Sequence, residues 1–532
     1  MRISKAVLFV VVVACVLGVV AAAPAAVKLP HVFGDNMVLQ RQMPVPVWGW
    51  AESGEKITVK FGDQEKTATA GADGKWTVRL DALEASDKPA QMTVADGSGK
   101  ARTLKNILVG EVWLGSGQSN MEMSVGGCLD AQKFIKEADH SKIRLFTVRK
   151  DPAGEPQNDV SGRWEVCGPN NVGGFSAVAY FFGQRIHKEL GVPVGLIHSS
   201  WGGTRIEPWT PRCGFAAVKS LASYVKQIDD APAAYRKQMA GAIAQLEAWL
   251  PKAKAALADE GTVPPAPQMP QHPLDSAGGT SGLYNGMIHG LIPYDMRGAL
   301  WYQGESNGGE GKSYYEKKQA LIGGWRQLWG QGDFPFYFVQ LASFMNPNTN
   351  PEGGDGWARV KEAQTFSLSI PHTGMAVLTD IGDARDIHPK NKQDVGERLA
   401  LWALAKDYGK KDLVYSGPVL KSFKIDAAKV VLSFDHVGGG LMVGKKEGLA
   451  PTQEVKDGEL KGFAIQGDDG TWHWADAKID GSNVIVSSDK VAKPKAVRYA
   501  FTSNCEHCNF YNKEGLPAVP FRTDTEWTPD GK

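Results

Sequence analysis

Along the first hundred positions apolar and polar residues alternate in short runs. Val45–Trp50, Lys56–Phe61, Lys75–Leu80 and 91–94 each read as a half-buried strand, and Gly/Asp clusters such as Ala72-Asp73-Gly74 separate them. That spacing predicts a small β-sandwich over 27–105. The pattern then changes. Residues 107–114 form a continuous apolar run that ends in Gly115-Ser116-Gly117. Further on, 175–190 reads as a helix and 192–198 as a buried strand, with more short apolar runs at 299–302, 336–341 and 375–379. Continuously apolar strands alternating with helices predict an α/β domain with a parallel sheet over 106–410. After 411 strand-like runs return at 430–434, 462–465, 484–486 and 496–501, and predict a C-terminal β domain over 411–532.

Inside the α/β region, residues 212–275 read as an insertion. Tyr235, Met239, Ala242, Leu246 and Trp249 recur at steps of four and three, which marks one face of a helix. The Pro-rich stretch 264–273 reads as extended. Such an insertion serves either as a lid over a substrate or as a plain surface addition.

The first 26 residues stand apart from the fold. Arg2 and Lys5 precede an apolar run over 6–20, and Ala21-Ala22-Ala23 and Ala25-Ala26 supply small residues for cleavage. This is the pattern of a signal peptide, so the chain is expected to be exported to a periplasmic or extracellular space, with no stable membrane span after cleavage. Hydrophobic residues at 42% and charged residues at 22% are ordinary globular values and exclude disorder or a coiled coil. Fifty-nine basic residues balance 58 acidic ones with no Lys/Arg-rich block, so no nucleic-acid partner is expected. Cys505 and Cys508 form a C-x-x-C with no second pair to complete a zinc site; a local disulfide suits an exported chain.

Four motifs follow predicted strand ends, where parallel sheets bind ligands. In Gly117-Gln118-Ser119-Asn120, Ser119 suits either a nucleophile or the cap of a short helix. Met121 stands where a nucleophile elbow needs glycine, which counts against an α/β-hydrolase. Trp201-Gly202-Gly203-Thr204 lets backbone N–H groups approach a ligand, or simply turns the chain. In Gln303-Gly304-Glu305-Ser306-Asn307, Gln303 and Asn307 carry amides able to meet an oxyanion. Glu305 suits either an acid or a tie between loops, and the tie is the favoured reading. In Asp386-Ile387-His388-Pro389, His388 is the side chain best suited to take a serine proton, and Pro389 holds it extended. A helix with Val395, Leu399 and Trp402 on one face follows and anchors it.

Taken in order, these motifs resemble the SGNH hydrolase superfamily and, within it, the sialate O-acetylesterase family. Phe33-Gly34-Asp35-Asn36-Met37, Leu283-Tyr284-Asn285-Gly286-Met287 and Pro520-Phe521-Arg522-Thr523-Asp524 extend the likeness over most of the chain. The resemblance implies an SGNH-like parallel sheet flanked by N-terminal and C-terminal β domains, and an esterase that removes O-acetyl groups from sugars, O-acetylated sialic acids foremost. It implies Ser119 as nucleophile, His388 as general base, and the N–H groups of Ser119 and Gly202 with the side chain of Gln303 or Asn307 as oxyanion donors. Metal ions and organic cofactors are not expected. One departure stands out. The superfamily places its aspartate three residues before the histidine, where this chain has Arg385; Asp386 is two before. Either Asp386 or a backbone carbonyl then orients His388, and the carbonyl is the slightly favoured reading. An acetylxylan or other polysaccharide esterase of the same superfamily would use the same residues. A glycoside hydrolase would instead use Glu305 and Asp386, and a non-catalytic glycan-binding protein would need no serine–histidine pair.

Overall fold

A computed structural model describes residues 27–525 and 527–528. The signal-peptide segment 1–26 lies outside them. The central element is the strand Ala101–Gly117. Its first half pairs antiparallel with Ser86–Ala95 and parallel with Val38–Gln40, in a sheet that also holds Lys56–Phe61 and Gln64–Thr69. Val45–Trp50 and Lys75–Leu80 form a separate pair alongside. The second half of Ala101–Gly117 enters the α/β sheet. One strand therefore runs unbroken through both regions.

The α/β sheet runs in the order Thr373–Ala376, Phe336–Val339, Gly298–Tyr302, Ala101–Gly117, Val194–Ser200, His140–Thr147, Trp164–Cys167. Every neighbouring pair is parallel except the last. Alternation along the strands feeds two cores. Val112, Leu114, Ala299 and Trp301 pack with Leu321, Trp325 and Val360 of the helices Lys312–Trp329 and Gly356–Phe366. Trp113, Leu300 and Tyr302 pack the other way, with Phe182, Leu399 and Trp402 of the helices Ala177–Leu190 and Lys392–Lys406. Burial on both faces is what makes these strands read as unbroken apolar runs. The helix ends follow local chemistry. Ser176 caps Ala179 N–H, Asn391 caps Asp394 N–H, and Gly191 closes the first helix in the left-handed conformation.

The insertion contains a helix much longer than the apolar face from Tyr235 to Trp249 predicts, Ala222–Ala258. At 1.5 Å per residue it reaches about 55 Å. Of the five predicted face positions Ala242 is buried and Leu246 is exposed. Trp249 Nε1 donates to Pro264 O at 2.9 Å, and Tyr235 meets the His272 ring edge-on. The Pro-rich segment thus returns along the helix and covers part of its apolar stripe. No helix among the described residues is long and apolar enough to cross a membrane.

After 411 the chain forms small antiparallel sheets, including Val419–Asp426 with Lys429–Asp435 and Phe463–Gly467 with Pro494–Tyr499. They dock on the α/β region through Arg522 on Glu362 at 2.7 Å and Lys361 Nζ on the carbonyls of Thr502 and Ser503. Cys505 and Cys508 are joined in a disulfide.

Candidate active site

Ala101–Gly117 is the first strand of the α/β sheet, and the chain leaves it to build neighbours on both sides. Its end, between the ends of Val194–Ser200 and Gly298–Tyr302, is the switch point where such sheets leave a crevice. Three of the four motifs emerge there. Their bases are tied together: Gln118 N–H donates to Tyr302 O at 3.0 Å, and Trp201 N–H donates to Gly117 O at 3.1 Å. Gly117 has φ 139°, and a Cβ placed on it would stand 2.2 Å from Tyr302 O. Only glycine lets the strand turn this close to its neighbour. The short helix Ser119–Glu122 starts immediately after, so Ser119 N–H has no partner within that helix.

The fourth motif closes over this crevice from the loop between Thr373–Ala376 and Lys392–Lys406. His388 Nε2 lies 2.8 Å from Ser119 Oγ. On the far side of the ring, Asp386 Oδ1 is 3.4 Å from Nδ1 and accepts the His388 backbone N–H at 2.9 Å. Its other oxygen lies 3.1 Å from Lys390 Nζ. The His388 N–H, with help from Lys390, holds the Asp386 carboxyl below the usual carboxylate range. Among the described residues no backbone carbonyl accepts from His388 Nδ1, and Asp386 is the group that faces it.

Gly202 sits against the serine. A Cβ there would be 3.2 Å from Ser119 Cβ. Its N–H donates to Glu122 Oε2 at 2.6 Å, while Lys150 Nζ binds the other oxygen of Glu122 at 2.5 Å and lies over the Trp201 ring. Gln303 and Asn307 are placed differently from the oxyanion role. Both are fully buried. Gln303 Nε2 is spent on Thr204 O at 3.2 Å and Asn307 Oδ1 at 2.7 Å. Asn307 Nδ2 is spent on Glu207 and Glu310, and its oxygen accepts Ile206 N–H. The physical reason is the salt-bridged cluster of Glu207, Glu310, Lys317 and Arg205 behind the loop, which claims the Asn307 amide. Glu207 is drawn down to about 2: burial alone would raise it, but the Lys317 and Arg205 contacts outweigh that. Gln303 and Asn307 therefore hold the 202–207 loop in place instead of pointing into the crevice.

Glu305 is half-buried and accepts from Nδ2 of Asn120, one residue from Ser119, at 2.5 Å. Asp386 is more than a third exposed on the opposite side of the site. Glu122, Lys150, Asn120 and Lys392 belong to the same neighbourhood and were not singled out by sequence; the signal available was adjacency, since Glu122 is three residues past Ser119 and Lys392 four past His388. Among the described residues no group of three or more His, Cys, Asp or Glu side chains is placed to hold a metal ion.

A parallel sheet with a serine and a histidine meeting over its switch point, flanked by β-rich regions, is the layout of an SGNH-type hydrolase. The comparisons narrow this. Residues 109–246 and 277–405 match the model of a family described as carbohydrate esterase, sialic acid-specific acetylesterase. The chain is 30% identical to the sialate O-acetylesterase of Rattus norvegicus over 92% of both chains, and 28% identical to that of Homo sapiens over 92% of this chain and 90% of the human one. Among solved structures it is similar to a carbohydrate acetylesterase from Xanthomonas citri, with 36% identity, a TM-score of 0.76, and coverage of 94% of this chain and 100% of the other. The chain belongs to the sialic acid-specific acetylesterase family of carbohydrate esterases, and it is a carboxylic ester hydrolase.

Proposed function

We propose that this protein is an exported esterase that removes O-acetyl groups from sugars, O-acetylated sialic acids foremost, through an acetyl-enzyme on Ser119. The observation that carries the reading is the 2.8 Å approach of His388 Nε2 to Ser119 Oγ at the mouth of the sheet. His388 takes the Ser119 proton as Oγ attacks the acetyl carbonyl. The oxyanion is met by the N–H groups of Ser119 and Gly202. Losing one such donor typically costs about 10²–10³ in rate. The sugar oxygen leaves with the proton held on His388. Water, deprotonated by the same ring, attacks the acetyl-enzyme; acetate departs and Ser119 regains its proton. Asp386 supports the imidazolium from 3.4 Å. Because Glu122 occupies the Gly202 N–H, the carbonyl of the ester must displace a carboxylate to use that donor.

The rat and human relatives, sialate O-acetylesterases, support O-acetylated sialic acid, and the Xanthomonas carbohydrate acetylesterase supports an acetylated carbohydrate without naming the sugar. A panel of O-acetylated glycans, including O-acetyl sialic acids and acetylated xylan, scored for released acetate with Ser119→Ala as control, separates these. Preference for acetylated xylan would overturn the sialic-acid assignment. Absence of serine-dependent acetate release from every member would overturn the esterase mechanism. Export is tested by sequencing the N-terminus of the secreted protein, which should begin close to residue 27.

A further inference from the structure

Behind the serine and histidine lies a buried chain of three polar side chains that the ester hydrolysis steps do not use. Asn120 and Lys392 are at most 1% exposed, and Glu305 is half-buried with its Oε2 shielded from solvent. Asn120 is the link. Its Oδ1 accepts from Lys392 Nζ at 2.5 Å. Its Nδ2 donates one hydrogen to Glu305 Oε1 at 2.5 Å and the other to Ile387 O at 3.0 Å. The ammonium on one side and the carboxylate on the other leave the amide a single favourable orientation. Every donor it has is then used. The ends of this chain are revealing. Asn120 adjoins Ser119, Ile387 adjoins His388, Glu305 lies three residues past the strand Gly298–Tyr302, and Lys392 is the first residue of the helix that anchors the histidine loop.

We infer that Lys392, Asn120 and Glu305 form a positioning brace that sets the Ser119–His388 distance by hydrogen-bonding the nucleophile loop to the histidine loop. This rests on the serine–histidine reading above. Asn120 thus ties the nucleophile loop to the histidine loop twice, at Ile387 O beside His388 and at Lys392 where the anchoring helix begins. The charges at the two ends have been withdrawn from water for this contact. Burial pushes the Lys392 ammonium down to about 7 and the Glu305 carboxyl up, and both lean on Asn120 for a partner. Among the described residues no side chain other than Asn120 donates to the Glu305 carboxylate, and it does so at Oε1.

Misplacement of reacting groups by about 1 Å costs about 10²-fold in rate. Asn120→Ala should therefore lower kcat on a simple acetyl ester by about 10- to 100-fold with KM within about twofold, because the brace touches no substrate. The rate of labelling by a serine-directed phosphonate should fall in parallel. Glu305→Ala should behave alike, and Glu305→Gln, which keeps an oxygen acceptor for Asn120 Nδ2, should recover most of the lost kcat. Thermal melts accompany each variant. If Asn120→Ala does not fold, the Glu305→Ala and Glu305→Gln pair decides. A kcat within about threefold of the parent in Asn120→Ala, or Glu305→Gln as damaged as Glu305→Ala, overturns the brace. Ser119→Ala run alongside keeps the two ideas apart: full activity there would sink the nucleophile assignment, whereas an inactive Ser119→Ala with an unharmed Asn120→Ala sinks only the brace.

Discussion

Ser119 Oγ and His388 Nε2 lie 2.8 Å apart; Ser200 Oγ and His198 Nε2 lie 2.5 Å apart. Both pairs are at the carboxyl edge of the same sheet, and Ser200 is directly opposite Gly117 in the pairing register. By distance alone the second pair is the better one. The difference lies in surroundings. His198 and Ser200 are two residues apart on one strand, so they point the same way and bond locally. They are 6% and 3% exposed, against 37% for the His388 side chain. Burial drives His198 down to about 4, so the ring is neutral near neutral pH and too weak a base to take and hold a serine proton. Among the described residues no carboxylate is bonded to its other nitrogen, which is buried and unpaired. His388 comes from a distant loop, faces Asp386 and is open to the crevice. A serine–histidine contact marks a reactive site only where a substrate can reach it and a proton can be carried.

The sharpest way to break this contrast is to remove each serine. Ser119→Ala should lower acetate release by about 10⁴-fold or more with the fold intact. Substantial turnover by a well-folded variant would show that the exposed pair is not the reactive one. His388→Ala should be nearly as damaging, and the double variant scarcely worse than either single, since the two act as a unit. Additive losses in the double variant would contradict that.

Asp386→Asn probes what separates the two histidines electrostatically. Its carboxylate is more than a third exposed, 3.4 Å from Nδ1, and shared with a backbone N–H and Lys390. The expected loss in kcat is about tenfold, or about 1.4 kcal/mol in the barrier. A loss beyond about a thousandfold would give Asp386 the full weight of a triad aspartate.

Ser200→Ala should do the reverse of Ser119→Ala. Activity should stay within about twofold, while stability falls by about 1–3 kcal/mol because His198 loses its partner in a buried site. The His198 ring adds a pH dependence. Its folded-state value lies below the ordinary 6.5, so an unfolded chain binds a proton between about 6.5 and about 4 where the folded chain does not. Its contribution is complete above about 6.5 and is lost as pH falls towards about 4. Urea unfolding across that range should show stability declining towards acid, with a shallower decline in His198→Asn. Equal slopes in the two proteins would remove His198 as the cause.

Much of this arrangement was legible in the chain. Val45–Trp50, Lys56–Phe61 and Lys75–Leu80 fall where the sequence predicts; one face of each of the last two meets a core, while Val45–Trp50 is buried on both faces. The strand Gln64–Thr69 was not legible, since its residues are half-exposed or exposed throughout and carry no apolar face. Val419–Asp426 differs: Phe423 and Ile425 do share a face, but both lie exposed and meet no core. The length of the insertion helix was hidden by Pro232 and Pro251, which stop a helix in most settings but lie inside this one.

What the sequence determined by itself was the order of the sheet-end motifs and the residue types in them. Local chemistry sets these: glycine where the strand turns against Tyr302, serine after it, and a proline-stiffened histidine before a capped helix. What only the tertiary structure decided was which of those side chains have free donors. Gln303 and Asn307 carry the right amides, but Thr204, Glu207 and Glu310 consume them. Glu122 and Lys392, silent in the motif pattern, reach the Gly202 N–H and the Asn120 amide. Those partners are about 80 and 270 residues away along the chain. A hydrogen-bond donor serves only a limited set of acceptors at a time, and the competition among them is settled by packing between distant loops, which no local pattern records.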